Sequence, residues 1–379
     1  MWNFLPVMVI GLILAGLSEY YSVSRIMPDG SKVYEKKDRL FFFFMVLFFV
    51  IFVGLRRYYN DTNVYIRNYE QIPVYDSFSS TVFADLNWTL GGCPGFGIIE
   101  RVMRYFHFSS QSFIMAFSAF TFITFLWFIK KHTCDIFLSV YFFITMEMFT
   151  FAMAALRQCA AIAFCLIAIE FFLRRKYFLF VLFVIFGISV HEYAFVFFVV
   201  PLLSFKPWSN KTYVFIGVFT VAAIFMRQLL GSITDIAISV NGMYDKDEFF
   251  SAGVNIFRVL VVWVPVVLSF LVKDKFSSEK KAENLIINLS MLNATVMFLG
   301  LFGTANYFAR LANYFLIFQI IALPIILRYF DDNTRKYLTA FSFVGYLAYF
   351  VYGNGFAQGG FDANYYGISI FKYLGNIFD

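Results

Sequence analysis

Arginines at the edges of apolar segments are the residues of this 379-residue sequence whose chemistry stands out. Arg157 follows the small and apolar run Ala154 to Leu156, so its guanidinium is predicted to lie at a membrane boundary. A charge placed there is costly without a partner, and a guanidinium can bind two phosphate oxygens at once. We therefore expect Arg157 to bind the phosphate groups of a ligand, with contact to lipid headgroups as the alternative.

A second set of polar residues follows the second apolar segment. Arg56 and Arg57 are followed by Asp61 and Tyr65, which together offer two phosphate-binding groups, one carboxylate and a flat ring. This combination favours binding of a phosphorylated sugar, and the two arginines are predicted to join Arg157 in one phosphate site. The alternative is an interfacial anchor with an aromatic belt.

The second half of the chain contains a similar set. Asn306, Arg310 and Tyr314 are spaced four residues apart, which places them on one face of a helix. Arg258 lies at the start of another apolar segment. Arg258 and Arg310 are predicted to bind phosphate, and Asn306 and Tyr314, with Tyr65, to bind sugar. The sequence alone leaves open whether these residues converge.

His191 and Glu192 interrupt an apolar stretch that otherwise runs from Tyr177 to Phe205. An imidazole exchanges a proton near neutral pH, and a neighbouring carboxylate can orient it. His191 is therefore predicted to accept a proton in catalysis, with Glu192 or Asp61 as its orienting carboxylate or as the base itself. The alternative roles are a hydrogen bond at the helix break and a contact to phosphate.

The composition indicates that the elements around these residues are membrane helices. Of all residues, 61% are hydrophobic and 14% are charged, against roughly 45–50% and about 25% in soluble domains. A span needs about 20 residues. The sequence therefore predicts an all-α polytopic membrane protein, with residues 1–379 in a single transmembrane domain of about 12 transmembrane helices. The predicted spans lie near residues 4–23, 40–55, 111–129, 136–153, 158–173, 177–190, 193–205, 212–230, 256–272, 285–303, 311–328 and 337–353.

Loop charges set the predicted orientation. The six loops assigned to the inner side hold 13 Lys and 6 Arg, whereas the rest of the chain holds 2 Lys and 9 Arg. Positive charge marks the cytoplasmic side, so loops 56–110 and 231–255 and the tail 354–379 are predicted to face outward. This orientation requires two short segments, 177–190 and 193–205, instead of one span. The net charge of +6 follows from these loops and does not indicate nucleic-acid binding.

Other kinds of site find less support. The four cysteines are scattered, and the His, Asp and Glu residues show no ligand spacing, so neither a metal nor a cofactor is expected. Residues 97–108 form an amphipathic pattern with Glu100, Arg101 and Arg104 on its polar face, which predicts a helix on the outer membrane surface with a structural role. Glu147 is placed nearer the end than the middle of its span, which disfavours an ion pump.

Four motifs, in this order, resemble those of the EpsG family of exopolysaccharide proteins, which belongs with the Wzy-type polymerases of bacterial surface polysaccharides. Gly54 to Tyr65 is similar to the family pattern G-L-R followed by D-x-x-x-Y, and Cys93 to Phe96 is similar to E-P-G-F. Leu156 to Ala163 resembles I-R-Q-x-x-A-x-A, and His191 to Ala194 resembles H-x-S-A.

The resemblance implies an all-helical glycosyltransferase of the GT-C type that works without a metal. It would transfer a glycan from undecaprenyl pyrophosphate to the non-reducing end of a lipid-linked repeat unit, at the outer face of the bacterial plasma membrane. The expected partners are undecaprenyl-pyrophosphate-linked oligosaccharides, membrane lipid and a chain-length regulator. Guanidinium groups would neutralise the leaving pyrophosphate. The arginines expected to do so are Arg56, Arg57, Arg157, Arg258 and Arg310.

Some residues depart from the family motifs, and the sequence leaves two other functions open. Cys93 stands where the family pattern has Glu, so that carboxylate's role is lost or passes to Glu100, and Glu192 and Tyr193 depart from the pattern after His191. A lipid-linked saccharide flippase is the alternative function, and it would need polar residues through the centres of the spans. An acyltransferase would need His and Asp on the side of its acyl donor.

Overall fold

The chain is mostly helical, as the sequence predicts. The structure, a computed structural model, describes residues 4–26, 32–84, 86–224, 253–301, 305–356 and 365–378. Most of the predicted outer loop 231–255 and part of the tail 354–379 lie outside these residues. The described chain divides into two compact units, of which the first comprises the residues up to Phe198 and from Ser342 onward and the second comprises Val199–Phe341. The single transmembrane domain stays a prediction.

The elements follow the predicted segments closely along the chain. They are α1 Leu5–Tyr20, β1 Val23–Ile26, β2 Lys32–Lys36, α2 Leu40–Gly54, β3 Arg56–Tyr58, α3 Thr62–Glu70, α4 Phe78–Phe83, α5 Pro94–Tyr105, α6 Ser110–His132, α7 Ile136–Thr145, α8 Met148–Ala154, α9 Leu156–Leu173, α10 Tyr177–Val190, a 3₁₀ helix Glu192–Leu203, α11 Asn210–Ile224, α12 Ile256–Leu271, α13 Lys281–Leu299, α14 Ala305–Asn313, α15 Leu316–Leu327, α16 Asp332–Val351, a π-helical turn Tyr352–Phe356, β4 Tyr366–Gly367 and α17 Ile370–Gly375.

Three of these helices are long and apolar enough to cross a membrane, namely α6, α9 and α13. Helices α7 and α8 make a fourth span if the pair, bent by 53°, is one broken span. Several other apolar helices are shorter, and a helix such as α1, with 16 residues, rises only about 24 Å against a hydrocarbon core of about 30 Å. The protein is thus a membrane protein, whereas the twelve spans and the GT-C fold stay predictions.

Local sequence explains where the longest helix of the first unit begins and ends. The Ser109 side chain accepts a hydrogen bond from the Ser112 backbone N–H and so caps the N-terminus of α6. Lys130, Lys131 and His132 occupy its last turn, where positive charge offsets the negative end of the helix dipole. Lys130 and Lys131 belong to a loop that the sequence analysis assigned to the inner side, and that orientation stays a prediction.

Two small antiparallel sheets depart from a purely helical fold. β1 pairs with β2 in the loop that follows α1, and β3 pairs with β4 near the end of the chain. In the second sheet, Arg56 lies opposite Gly367 and Tyr58 lies opposite Tyr366. The C-terminal segment is therefore paired with the residues that follow α2, among them Arg56 and Arg57.

Close packing of aromatic rings forms the core of the first unit. Phe49, Phe122, Phe143 and Phe149 contact one another in edge-to-face, stacked or tilted arrangements, with ring centroids 5.6 to 6.5 Å apart. A methyl group at Gly11 would come within 2.6 Å of the Phe49 ring, so the absence of a side chain there lets α1 approach α2. This core fixes the ends of α2 and α6 beside the loop that bears the candidate site.

Glu147 lies at the break between α7 and α8, after ten helical residues and before seven. The sequence predicted one continuous span in which Glu147 lies nearer the end, whereas the structure has a helix break at this residue. Its backbone has a φ of 66°, and its carboxylate accepts hydrogen bonds from the Asn354 amide at 3.1 Å and the Tyr349 hydroxyl at 3.4 Å. The sequence pattern missed this break because both halves are equally apolar.

The second unit packs α12 to α15 around buried amide side chains. The Gln319 amide nitrogen donates to the backbone oxygens of Val262 and Ser290 and to the side-chain oxygen of Asn293. Asn293 in turn donates to the Ala312 backbone oxygen. These amides join helices to one another, as polar residues commonly do in membranes.

Candidate functional site

A cleft of about 480 Å³ in the first unit contains the residues best suited to chemistry. Its walls come from α3, α5, the first turn of α9 and the segment before α5. We refer to it as the Arg157 cleft. It is lined by Asp61, Val64, Tyr65, Asn68, Leu86, Asn87, Gly92, Phe96, Gly97, Glu100, Arg101 and Arg157. Sequence analysis selected Asp61, Tyr65 and Arg157, and the structure brings these three residues together.

Arg157 lies in the first turn of α9 because the chain breaks just before it. α8 ends at Ala154, and Ala155 connects the two helices with φ −102° and ψ 66°. The guanidinium lies over the Phe96 ring at 5.5 Å, and it is close enough to Tyr65 to interact electrostatically with the hydroxyl of that ring. A ring and a hydroxyl thus hold the guanidinium at the cleft wall.

The beginning of α9 carries positive charge from two sources. The unpaired N–H groups of a helix's first turn form the positive end of its dipole, and α9 has 18 residues with no acidic residue in its first turn. Arg157 adds a full charge at the same end. The combination favours an anion in the cleft far more than a helix end or an arginine alone would.

Helix α5 forms the opposite wall and places Glu100 and Arg101 in the cleft. Cys93 precedes it with φ 48°, and the buried Phe96 ring packs against Tyr65 and against the rings of α6. A methyl group at Gly97 would meet the Arg101 guanidinium at 3.0 Å, so glycine leaves room for that side chain. The predicted amphipathic helix is confirmed, and part of its charged face lines the cleft.

Glu100 is the more enclosed of the two carboxylates in the cleft. Burial raises its pKa to about 7, although the positive charges of Arg157 and Arg101 oppose the rise. Asp61 precedes α3 and is exposed. The cleft therefore combines two guanidinium groups with a carboxylate that exchanges a proton near neutral pH.

Arg56 lies behind the cleft wall instead of lining the cleft. Its side chain is fully buried and donates to the Val53 backbone oxygen at 2.8 Å, the Ser118 hydroxyl at 2.7 Å and the Thr62 hydroxyl at 3.3 Å. Burial lowers its pKa to about 10, which leaves the guanidinium charged at neutral pH. In this arrangement Arg56 joins α2, α3 and α6.

Arg57 is exposed and lines a different cleft on the other side of α3. This second cleft, of about 340 Å³, is lined by Arg57, Asn63, Val64, Ile66, Arg67 and Glu70. Val64 borders both clefts. The structure thus separates Arg57 from Arg157 by one helix, and a shared phosphate site for the two stays a prediction.

His191 and Glu192 form the predicted helix break. His191 ends α10, its backbone N–H donates to the Gly187 oxygen, and its ring lies edge to face with Tyr193 at 5.3 Å. The end of α10 lies beside the start of α5, because a methyl group at Gly95 would meet the Ser189 side chain. Neither residue is among those that line the Arg157 cleft. Their catalytic roles stay predictions.

The remaining predicted site residues belong to the second unit. Arg258 lies in the first turn of α12, and Arg310 lies exposed near the end of α14. Tyr314 follows the last residue of α14 and is fully buried, while Asn306 lies in the first turn of that helix. The roles of these four residues in binding pyrophosphate and sugar stay predictions.

Four polar residues of the cleft were not predicted from the sequence as ligand-binding residues, although Glu100 was considered as a replacement for the family carboxylate. Arg101 and Glu100 were given a structural role, and Asn68 and Asn87 were not considered. The helical spacing from Asp61 could have found Asn68, since residues seven apart share a helix face. For Glu100, the signal was the family glutamate that Cys93 replaces.

One protein family matches most of this chain. The model of the EpsG family matches residues 39–367, which include the Arg157 cleft, His191 and the predicted site residues of the second unit. No curated protein and no solved structure matches the chain. The match covers most of the 379 residues. The chain therefore belongs to the EpsG family and is a membrane protein of polysaccharide biosynthesis.

Proposed function

We propose that this protein is a polysaccharide polymerase. It transfers a glycan from undecaprenyl pyrophosphate to the non-reducing end of a lipid-linked repeat unit, at the outer face of the bacterial plasma membrane. The observation that carries the proposal is the Arg157 cleft, in which a guanidinium at a helix N-terminus faces carboxylates and amides. The family agrees, because its members are associated with glycosyltransferase-like polymerase activity.

The pyrophosphate binds at the first turn of α9. The transfer breaks the bond between the sugar's anomeric carbon and the pyrophosphate oxygen, so negative charge develops on the leaving group. Arg157 and the backbone dipoles of α9 stabilise that charge, and Arg101 adds a second guanidinium from α5. With two guanidinium groups in the cleft, the reaction we propose needs no metal ion.

The sugars bind along α3 and the segment before α5. Asn68 and Asn87 are exposed on the cleft wall, and amide groups both donate to and accept from sugar hydroxyls. Tyr65 lies beside the Arg157 guanidinium, so we assign it an orienting role in addition to its predicted contact with sugar. A chain-length regulator remains the partner we propose outside the cleft.

The test is polymer formation by the purified full-length protein in lipid nanodiscs. The substrate is a synthetic undecaprenyl pyrophosphate repeat unit, and the expected product is a ladder of oligomers on the lipid. Arg67→Lys is the matched control, because Arg67 is exposed on the other side of α3. Absence of a ladder from the wild-type protein, with every substrate stereoisomer tried, would refute the proposal.

The same lipid separates the polymerase from a flippase. In sealed proteoliposomes, a flippase exposes labelled lipid-linked sugar to an external lectin without changing its length. The buried amides of the second unit donate to backbone and side-chain oxygens, which is a packing arrangement rather than a route for sugars. We therefore expect elongation without translocation.

A further inference from the structure

The Arg157 cleft contains two carboxylates, and only Glu100 is enclosed. Asp61 lies exposed at the cleft's outer edge, where bulk water competes for any proton that its carboxylate would accept. Glu100 lies in the second turn of α5 and is mostly buried between the cleft and the protein. A proton transferred to Glu100 therefore moves within a sheltered site.

The charges around Glu100 match the needs of a proton acceptor. Arg157 and Arg101 both interact electrostatically with its carboxylate. An acceptor hydroxyl bound next to Glu100 therefore lies close to the groups that hold the leaving pyrophosphate. In a single-step displacement the hydroxyl attacks the anomeric carbon on the face opposite the leaving oxygen, so the donor sugar would lie between Glu100 and the guanidinium groups within one cleft.

We infer that Glu100 is the catalytic base, which accepts the proton of the attacking sugar hydroxyl. The inference rests on the proposed function. In the step, the hydroxyl oxygen forms a bond to the anomeric carbon of the donor while that carbon's bond to the pyrophosphate oxygen breaks. The proton moves to the Glu100 carboxylate, and the bonding electrons leave with undecaprenyl pyrophosphate. Glu100 then releases its proton to water through the open side of the cleft.

This assignment differs from the expectation for His191. The imidazole ends α10 beside Tyr193 and is absent from the cleft lining, whereas the Glu100 side chain forms part of it. A base must come within hydrogen-bond reach of the hydroxyl that it deprotonates. His191 contributes indirectly, because the end of α10 that precedes it packs against the start of α5 through Ser189 and Gly95.

The test compares Glu100→Gln with Glu70→Gln in the full-length protein. Gln keeps the shape of Glu but cannot accept the proton at neutral pH. Glu70 is a matched control on the far side of α3, where its carboxylate accepts a hydrogen bond from the Ser110 hydroxyl at 2.6 Å. Single-turnover transfer and binding of the donor lipid are measured separately, and thermal unfolding confirms that each variant is folded.

Glu100→Gln is expected to slow transfer by about 10²–10⁴-fold, the usual contribution of a general base, while donor affinity changes less than about threefold. The wild-type rate should rise with pH up to about 7, because only deprotonated Glu100 is active, and then level off. Glu100→Asp should keep this pH dependence at a reduced rate, and Glu100→Gln should lose it.

Three outcomes would overturn the inference. A Glu100→Gln rate within about threefold of wild type would exclude a base. An equal loss of donor binding and transfer would make Glu100 a binding residue. A wild-type pH profile that persists in Glu100→Gln would assign the titration to another group. If the wild-type protein forms no polymer, the proposed function fails first and the inference falls with it.

Discussion

Arg56 and Arg157 have similar surroundings in the sequence and different ones in the structure. Each follows a leucine at the edge of an apolar segment. Arg56 is fully buried and donates three hydrogen bonds to protein oxygens, whereas Arg157 is only partly buried and lines a cleft. The pair shows that an arginine at a membrane boundary can serve either the fold or a ligand. Its role depends on whether the neighbouring helices bury the side chain completely.

The same substitution at both positions should therefore have opposite effects. Lysine keeps the charge but loses the planar fork. Arg157→Lys is expected to lower the transfer rate by about 10²–10³-fold, the cost of removing one donor to a developing negative charge. Its thermal unfolding should match that of wild type, because the side chain is not a core contact. Normal transfer by Arg157→Lys would remove the guanidinium from the mechanism.

Arg56→Lys should instead destabilise the protein. A lysine amine cannot reach the Val53, Ser118 and Thr62 oxygens together, and losing hydrogen bonds to a charged group costs about 2 kcal/mol. We expect a melting temperature lower by several degrees and, in the molecules that remain folded, a transfer rate within about tenfold of wild type. An unchanged melting temperature with lost transfer would place Arg56 with the ligand-binding arginines.

His191→Ala tests whether His191 or Glu100 is the catalytic base. Because the ring packs against Tyr193 outside the cleft lining, its loss should slow transfer by less than about tenfold, well below the usual effect of removing a base. A decrease beyond about 100-fold with intact donor binding would return the base role to His191 and contradict the assignment of Glu100.

Arg57→Gln should have the smallest effect. This side chain is exposed on the second cleft, and an exposed charge contributes about 1 kcal/mol or less. Transfer is expected to fall by no more than about fivefold, with a larger difference at low salt than at high salt. A drop comparable to that of Arg157→Lys, measured in the same preparation, would show that the two arginines act on one phosphate group.

Sequence patterns predicted where the helices lie along the chain better than they predicted which residues pack against each helix. The apolar period located α6 and α9 and the break at His191, because these features depend on residues near one another in the chain. The position of Arg157 at a membrane boundary was predicted from the small and apolar residues that precede it. These local signals sufficed to select Arg157, Asp61 and Tyr65 for the cleft.

Long-range packing explains what the sequence did not predict. The polar face of α5 could point to water, lipid or protein, and only its contact with α9 brings Glu100 toward Arg157. The burial of Arg56 depends on Ser118, which is 62 residues away in the chain. At the helix break, the Glu147 carboxylate accepts a hydrogen bond from Asn354, which is still farther along the chain. Periodicity carries no information about such partners.

The pairing of β3 with β4 has a consequence for biosynthesis. The two strands are made roughly 310 residues apart, and at about 5–20 residues per second the ribosome needs roughly 15 to 60 seconds to travel from one to the other. The same C-terminal segment also receives hydrogen bonds at the Ile377 oxygen from Ser109 and Ser112, at the far end of the loop that bears the cleft. Contacts between earlier residues, such as that of Arg56 with Ser118, can join the two ends of this loop first. The contacts with the C-terminal segment are then added only after residue 377 has been made.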